Sequence, residues 1–112
     1  MTNADAVEAL GALAQDTRLA IFRLLVQAGA PGMSVGSIGD KLELPGATLS
    51  FHLKELANAS LIEPRHEGRF IYYSANYERM NGLLGYLTEN CCQGQSCDAV
   101  CAPSPQRLRK RA

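Results

Sequence analysis

The sequence contains no tryptophan, only two histidines, and no cysteine before position 91. It also lacks an apolar run of about 18 residues, so we expect one domain and no membrane-spanning helix. The first ten residues, MTNADAVEAL, carry acids where a secretory signal would carry Lys or Arg. We therefore expect a cytoplasmic protein whose thiols stay reduced.

Net charge is absent as well, because 11 basic residues balance 11 acidic ones. A strongly basic surface, which favours nucleic-acid binding, is therefore missing. Positive charge is in excess only in residues 51–112, where eight basic residues face six acids, and four of the eight lie in the final six residues, RLRKRA. Any DNA binding must therefore depend on a local set of side chains.

Hydrophobic periodicity predicts a mainly α-helical chain with one β-hairpin. Apolar residues at three- and four-residue steps predict five helices, at residues 4–14, 17–28, 35–42, 46–59 and 76–90. Asp16 or Thr17 is the expected N-cap of the second helix, and Ser34 that of the third. Alternating stretches at 61–65 and 69–74, separated by a turn that ends at Gly68, predict the hairpin. This order of elements is that of a winged helix-turn-helix.

The predicted helix at 46–59 presents short polar side chains near its N-terminus, where a recognition helix contacts base edges. Such a polar face is usually only solvated when a helix stands alone, but the hairpin that follows it favours DNA binding. A basic side chain just past the hairpin turn is placed to contact the DNA backbone or the minor groove. We predict DNA contacts from five residues: Thr48, Ser50, His52, Lys54 and Arg69.

Three segments, LAQDTRLAIFRLL, SFHLKELANASLI and EGRFIYYSA, resemble the ArsR family (also called ArsR/SmtB) of metal- and metalloid-sensing winged-helix repressors. The likeness covers about residues 5–92 and follows the family's order and spacing. It implies a dimeric winged helix-turn-helix protein, a homodimer whose first and last helices form the interface. It also implies that the 46–59 helix reads a palindromic double-stranded operator and that an inducer releases the DNA.

Residues 1–92 are therefore the expected DNA-binding and dimerisation domain. Residues 93–112 are the expected cysteine-bearing C-terminal segment and basic tail. Beyond Cys101 the tail has two prolines and no periodicity, so we expect it to be disordered.

The sequence departs from two sensor sites of that family. Many arsenic-responsive members carry a Cys-Val-Cys-type motif at the start of the helix before the recognition helix, where this chain reads MSVGSIGDKL and has no thiol. Zinc-sensing members use His and carboxylates along the last helix, where this chain offers Glu78 and Glu89 but no His. Sensing is therefore left to the cysteines that follow the last helix.

All four cysteines lie within eleven positions, with the spacing Cys91-Cys92-x4-Cys97-x3-Cys101. Soft thiolates select soft, thiophilic centres, and trivalent arsenic or antimony bonds to three sulfurs. The resemblance agrees, since some family members sense arsenite through a Cys-Cys pair and one further Cys after the last helix. We predict Cys91, Cys92 and Cys97 as ligands of As(III) or Sb(III), with Cys101 as a substitute third ligand or a separate thiol.

Other interpretations of the cysteines stay open. Four thiolates can hold zinc or cadmium, although the usual C-x2-C pairs are absent. Clustered thiols can also act as a redox switch, whereas two disulfides would need an oxidising compartment. A thiol enzyme is a further class, but the chain has no C-x-x-C pair and no Gly-rich phosphate loop. Its two histidines lie in the predicted DNA-binding part, and so we expect no enzyme.

Overall fold

The computed structural model describes residues 1–94, which form five α-helices and a three-stranded antiparallel sheet. In chain order the elements are α1 (Asn3–Leu13), α2 (Asp16–Ala28), β1 (Met33–Ser34), α3 (Val35–Leu42), α4 (Gly46–Asn58), β2 (Ile62–Glu67), β3 (Phe70–Ala75) and α5 (Tyr77–Leu87). A short 3-10 turn, Cys91–Gly94, follows α5. The predicted winged helix-turn-helix is confirmed. Within these residues no helix has both the length and the apolar character needed to cross a membrane.

The sheet contains one strand that the sequence pattern does not predict. Strand order is β1-β3-β2, and Met33 of β1 pairs with Tyr73 of β3. Two residues are too few to show an alternating pattern, so periodicity could not reveal β1. Gly32, just before it, has a φ of +71°, and a Cβ there would collide with the Tyr73 carbonyl oxygen. This close approach requires glycine.

The helix starts agree with capping rules except at α2 and at α4, whose N-cap Pro45 makes no side-chain hydrogen bond. Ser34 caps α3 as predicted, since its hydroxyl accepts a hydrogen bond from the Ser37 N–H at 3.2 Å. The N-cap of α2 is Gln15, whose Oε1 accepts from the Arg18 N–H at 2.8 Å. The expectation of Asp16 or Thr17 as this cap is wrong because the helix begins earlier, at Asp16. Glutamine is an uncommon N-cap, so the preference for Asp and Thr at this position favoured the two residues that follow it.

The core lies where α2, α3 and α4 meet the sheet. Its largest fully buried side chains are Ile21, Leu25, Ile38, Leu56, Leu61 and Ile62. Since α4 packs on α2 and is followed directly by β2, the helix-turn-helix and the hairpin are held as one unit. The position of α4 relative to the wing is therefore set by the core.

Candidate nucleic-acid interface and thiol segment

Helix α4 has a narrow buried stripe and a broad exposed face. The stripe consists of Leu49, His52, Leu53 and Leu56, which recur at three- and four-residue steps. The opposite side carries exposed side chains: Ala47, Thr48, Ser50, Phe51 and Lys54. Three of the predicted DNA-contact residues thus lie on the exposed face of the same helix, Thr48 and Ser50 in its N-terminal half and Lys54 beyond its middle.

His52 is not one of them. Its side chain is only 8% exposed, and its Nδ1 lies 3.2 Å from a terminal guanidinium nitrogen of Arg18. Because a guanidinium can only donate, Nδ1 must be the acceptor. The prediction that His52 lies on the outer face is wrong, because its position falls within the buried stripe. It contacts α2 rather than the surface available to DNA.

Arg18 connects His52 to the first helical pair. Its Nε donates to the carbonyl oxygen of Ala12 at 2.6 Å, while its other arm reaches His52. One side chain therefore ties α4 to the α1–α2 junction. We assign Arg18 and His52 to positioning the helix that carries the exposed polar face.

The wing is a tight hairpin whose turn places Arg69 at its tip. Glu67 pairs with Phe70, so the turn residues are Gly68, at a φ of +62°, and Arg69. Arg65 is held away from this tip by three contacts. It pairs with Glu67 at 2.7 Å, donates to the Pro31 carbonyl oxygen at 3.2 Å, and lies over the Tyr72 ring. Arg65 therefore braces the wing against the loop that precedes β1.

An open groove of about 470 Å³ runs between the start of α3, the exposed side of α4 and the wing. Ser50, Lys54 and Arg69 line it together. Among the described residues, neither Lys54 nor Arg69 takes part in an ion pair. Thr48 is exposed on α4 but outside this groove. The structure thus brings a serine and two cations to one surface, a combination suited to phosphate contacts.

A second, apolar surface lies on the helices away from the wing. A groove of about 430 Å³ runs between α2 and α5 and is lined mostly by Leu, Val, Phe and Met side chains. Large apolar side chains nearby are about half exposed, namely Val7, Leu10, Leu19, Leu84 and Leu87. These residues belong to α1, α2 and α5. The three helices therefore carry apolar side chains that stay exposed in a single chain.

Polar contacts join α1 to α5 at the edge of this surface. Arg79 of α5 lies 3.3 Å from Glu8 and 4.0 Å from Asp5, and the Tyr86 hydroxyl bonds to Asn3 at 3.0 Å. Hydrogen bonding by the Thr2 backbone and side chain lowers the pKa of Asp5, and the positive charge of Arg79 adds to this effect. The two helices are thus linked by Arg79 near the start of α5 and by Tyr86 near its end.

The thiol segment begins immediately beyond α5. Cys91 and Cys92 are half-buried, and the Cys91 N–H donates to the Thr88 carbonyl oxygen at 3.0 Å. Three residues of this turn, Asn90, Cys92 and Gln93, have φ values between +57° and +59°. The chain thus leaves the helical path where the cysteine pair begins.

The predicted ligand set extends past the described residues. Cys97 and Cys101 lie outside them, as does the expected basic tail. Within residues 1–94 no group of three or more His, Cys, Asp or Glu side chains is arranged to hold a metal ion.

Comparison with known proteins decides the family. A protein-family profile for a helix-turn-helix domain matches residues 13–65. The arsenical resistance operon repressor of Bacillus subtilis (strain 168) is 40% identical over 81 residues, which cover 72% of this chain and 73% of that protein. The chain belongs to the ArsR family of winged-helix transcriptional regulators. It is a DNA-binding regulator and not an enzyme.

Solved structures of ArsR-type regulators support this assignment. HlyU from Vibrio cholerae matches with a TM-score of 0.63 at 34% identity, over 78% of this chain and 97% of that chain. A homodimeric winged helix-turn-helix domain from Mycobacterium bovis, a possible ArsR-family regulator, matches with a TM-score of 0.62 at 27% identity, over 82% and 85%. The helix-turn-helix and the wing of this chain thus occur in a fold that these solved structures share.

Proposed function

We propose that this ArsR-family chain is a homodimeric repressor that releases double-stranded operator DNA when As(III) or Sb(III) binds its C-terminal thiols. The observation that carries the proposal is the position of Cys91 and Cys92. They follow α5 after a three-residue turn, 88–90, and α5 has an exposed apolar face suited to an interface. The proposed sensor is therefore joined by a short stretch of chain to the helix proposed to form the dimer interface.

DNA binding is assigned to α4 and the wing of each subunit. Thr48 and Ser50 offer hydroxyls to bases or phosphates, and Lys54 and Arg69 offer charge to the backbone. Because the chain carries no net charge, phosphate attraction depends on local cations such as these two. A cytoplasmic location follows from this role, because the regulator must reach the chromosome.

Dimerisation is assigned to α1, α2 and α5. Their exposed apolar side chains, such as Leu19, Leu84 and Leu87, would be covered by the same surface of a second subunit. The homodimeric Mycobacterium bovis domain of the same fold supports this assignment. A two-fold dimer presents two copies of α4 to a palindromic operator, whose half-sites lie about 34–36 Å apart.

The donor chemistry fits a trivalent metalloid. Adjacent cysteines supply two soft sulfurs, and no cluster of harder ligands competes within the described residues. Cys97 is the proposed third ligand, and Cys101 is its substitute or a separate thiol. The Bacillus subtilis relative is named for arsenical resistance, which supports this class of inducer.

Release would follow from movement at the end of α5. Drawing residues 91–101 into a compact chelate would shift the C-terminal end of α5, where the Tyr86 hydroxyl bonds to Asn3 of α1. Because α1 and α5 lie at the proposed interface, the spacing of the two α4 helices would change. A coupling of about 1–3 kcal/mol between inducer and DNA is typical of such regulators.

Isothermal titration of the reduced protein with arsenite tests the sensor. We expect one arsenic per subunit and a large loss of affinity in Cys91→Ser, Cys92→Ser and Cys97→Ser, with Cys101→Ser as the matched control. Loss in Cys101→Ser with no loss in Cys97→Ser would reassign the third ligand. Tight cadmium or zinc binding through all four thiols, with no arsenite binding, would replace the metalloid by a divalent metal. A response only to oxidant would indicate a redox switch.

A further inference from the structure

We propose that Phe51 contacts the methyl group of a thymine in the major groove and so determines part of the operator sequence. This inference rests on the proposed DNA binding through α4. It assigns a base-reading role to an apolar residue that lies among the polar residues predicted to contact DNA.

The position of Phe51 on α4 supports this role. At about 100° per residue, Phe51 projects roughly 150° from the middle of the buried stripe formed by Leu49, His52, Leu53 and Leu56. Its side chain is 56% exposed. Thr48 and Ser50 project nearer the flanks of the same helix. A groove that receives the outer face of α4 would therefore meet Phe51 before either hydroxyl.

The Phe51 ring packs against the neighbouring His52 ring. Phe51 and His52 make an edge-to-face contact, with centroids 5.3 Å apart and planes at 65°. His52 is itself buried and bonded to Arg18. Because His52 is held in the core, its contact restricts the Phe51 ring before DNA binds. The ring therefore loses less rotational freedom on binding than an unsupported ring would.

The surroundings favour DNA over a protein partner. Lys54 lies one turn from Phe51 on the same face, and Ser50, Lys54 and Arg69 line the adjacent groove. The apolar groove assigned to dimerisation is formed by other residues, on α2 and α5. An exposed apolar ring on the outer face of α4, beside cations and hydroxyls, matches the major groove, where the thymine methyl is the apolar feature and Phe is a known partner for it.

Removing the methyl group alone tests the contact. A 30-base-pair duplex is selected from a randomised library by the wild-type protein, and each thymine is then replaced by deoxyuridine. Affinities of wild type and Phe51→Ala are measured by fluorescence anisotropy at one salt concentration. Phe70→Ala is the matched control for ring position, since Phe70 is an equally exposed ring, at 58%, that lines the groove from the wing instead of projecting from α4.

For wild type we expect one symmetry-related thymine position at which deoxyuridine weakens binding by about fourfold per half-site, or about fifteenfold for both. Phe51→Ala should bind the thymine duplex more weakly and show no penalty at that position, whereas Phe70→Ala should keep the penalty. An unchanged penalty in Phe51→Ala overturns the inference, as does wild-type binding that no deoxyuridine weakens. If the library yields no preferred sequence, the proposed operator binding fails together with it.

Discussion

The contact between part-buried Arg18 and buried His52 makes a prediction that separates positioning from direct DNA contact. His52→Ala removes an acceptor from a guanidinium and leaves a cavity in the α2–α4 packing. A hydrogen bond to a charged group contributes about 1.5–3 kcal/mol. We therefore expect His52→Ala to lower the free energy of unfolding by about 2–3 kcal/mol, with DNA affinity falling as α4 loses its anchor.

Two further variants isolate the hydrogen bond. His52→Asn keeps an acceptor near the position of Nδ1 and should recover part of the stability. His66→Ala removes the other histidine, which is exposed on the wing, and should change stability by less than about 0.5 kcal/mol. In a double-mutant cycle with Arg18→Ala, we expect a coupling of about 1–2 kcal/mol.

Urea unfolding followed by circular dichroism is the assay, at one protein concentration because dimerisation adds to stability. Anisotropy with the selected duplex is measured on the same samples. Equal stability of His52→Ala and His66→Ala would refute the positioning role. Unchanged stability with a large loss of DNA binding in His52→Ala alone would restore His52 as a DNA contact.

Three other predictions concern the wing, the interface and the helix cap. Lys54→Ala and Arg69→Ala should each weaken binding to any DNA sequence and lower the slope of log affinity against log salt by about one for each phosphate that is no longer neutralised; an unchanged slope would contradict a phosphate contact. Leu84→Glu should convert the dimer to a monomer in sedimentation equilibrium, and a stable dimer would remove α5 from the interface. Because the pKa of Asp5 is lowered in the folded state, its carboxylate stabilises the fold above the ordinary value of 3.8, and this stabilisation disappears as pH falls through the lowered pKa. Asp5→Asn should therefore be less stable than wild type at pH 7 and equal to it in strong acid; a constant difference in thermal melts across this range would contradict the linkage.

Helix positions were predictable from sequence because their signals are local and periodic. The predicted helix at 46–59 is observed at Gly46–Asn58, and the one at 35–42 at Val35–Leu42. Strand β1 was missed because two residues carry no period. The hairpin turn lies at Gly68 and Arg69, whereas the pattern predicted it at residues 66–68, a shift of the kind that strand boundaries commonly show.

The candidate site was only partly predictable. His52 looked like a surface residue because histidine is polar, and its partner Arg18 is 34 positions away in sequence. One signal was available, since His52 follows Leu49 by three residues and precedes Leu56 by four. The same helical arithmetic places Phe51 opposite the stripe. The polar residue type of His52 suggested a surface position, whereas its helical spacing indicated a buried one.

The sequence predicts which thiols form the proposed sensor, but not how their sulfur atoms are arranged in space. Spacing identified the four cysteines as one group, and the fold shows that the first two lie one short turn beyond α5. The choice of the third sulfur depends on chain beyond residue 94, so the titrations of the cysteine variants decide it.

DNA release by arsenite is the measurement that tests the proposed function most directly. Reduced protein is bound to the selected, fluorescently labelled duplex, and anisotropy is followed as arsenite is added. We predict release by wild type, at about one arsenite per subunit when the protein concentration exceeds the dissociation constant, and no release by Cys91→Ser/Cys92→Ser, which should still bind the duplex. Release that survives in the double variant, or wild-type protein that keeps its DNA at saturating arsenite, would contradict the proposal.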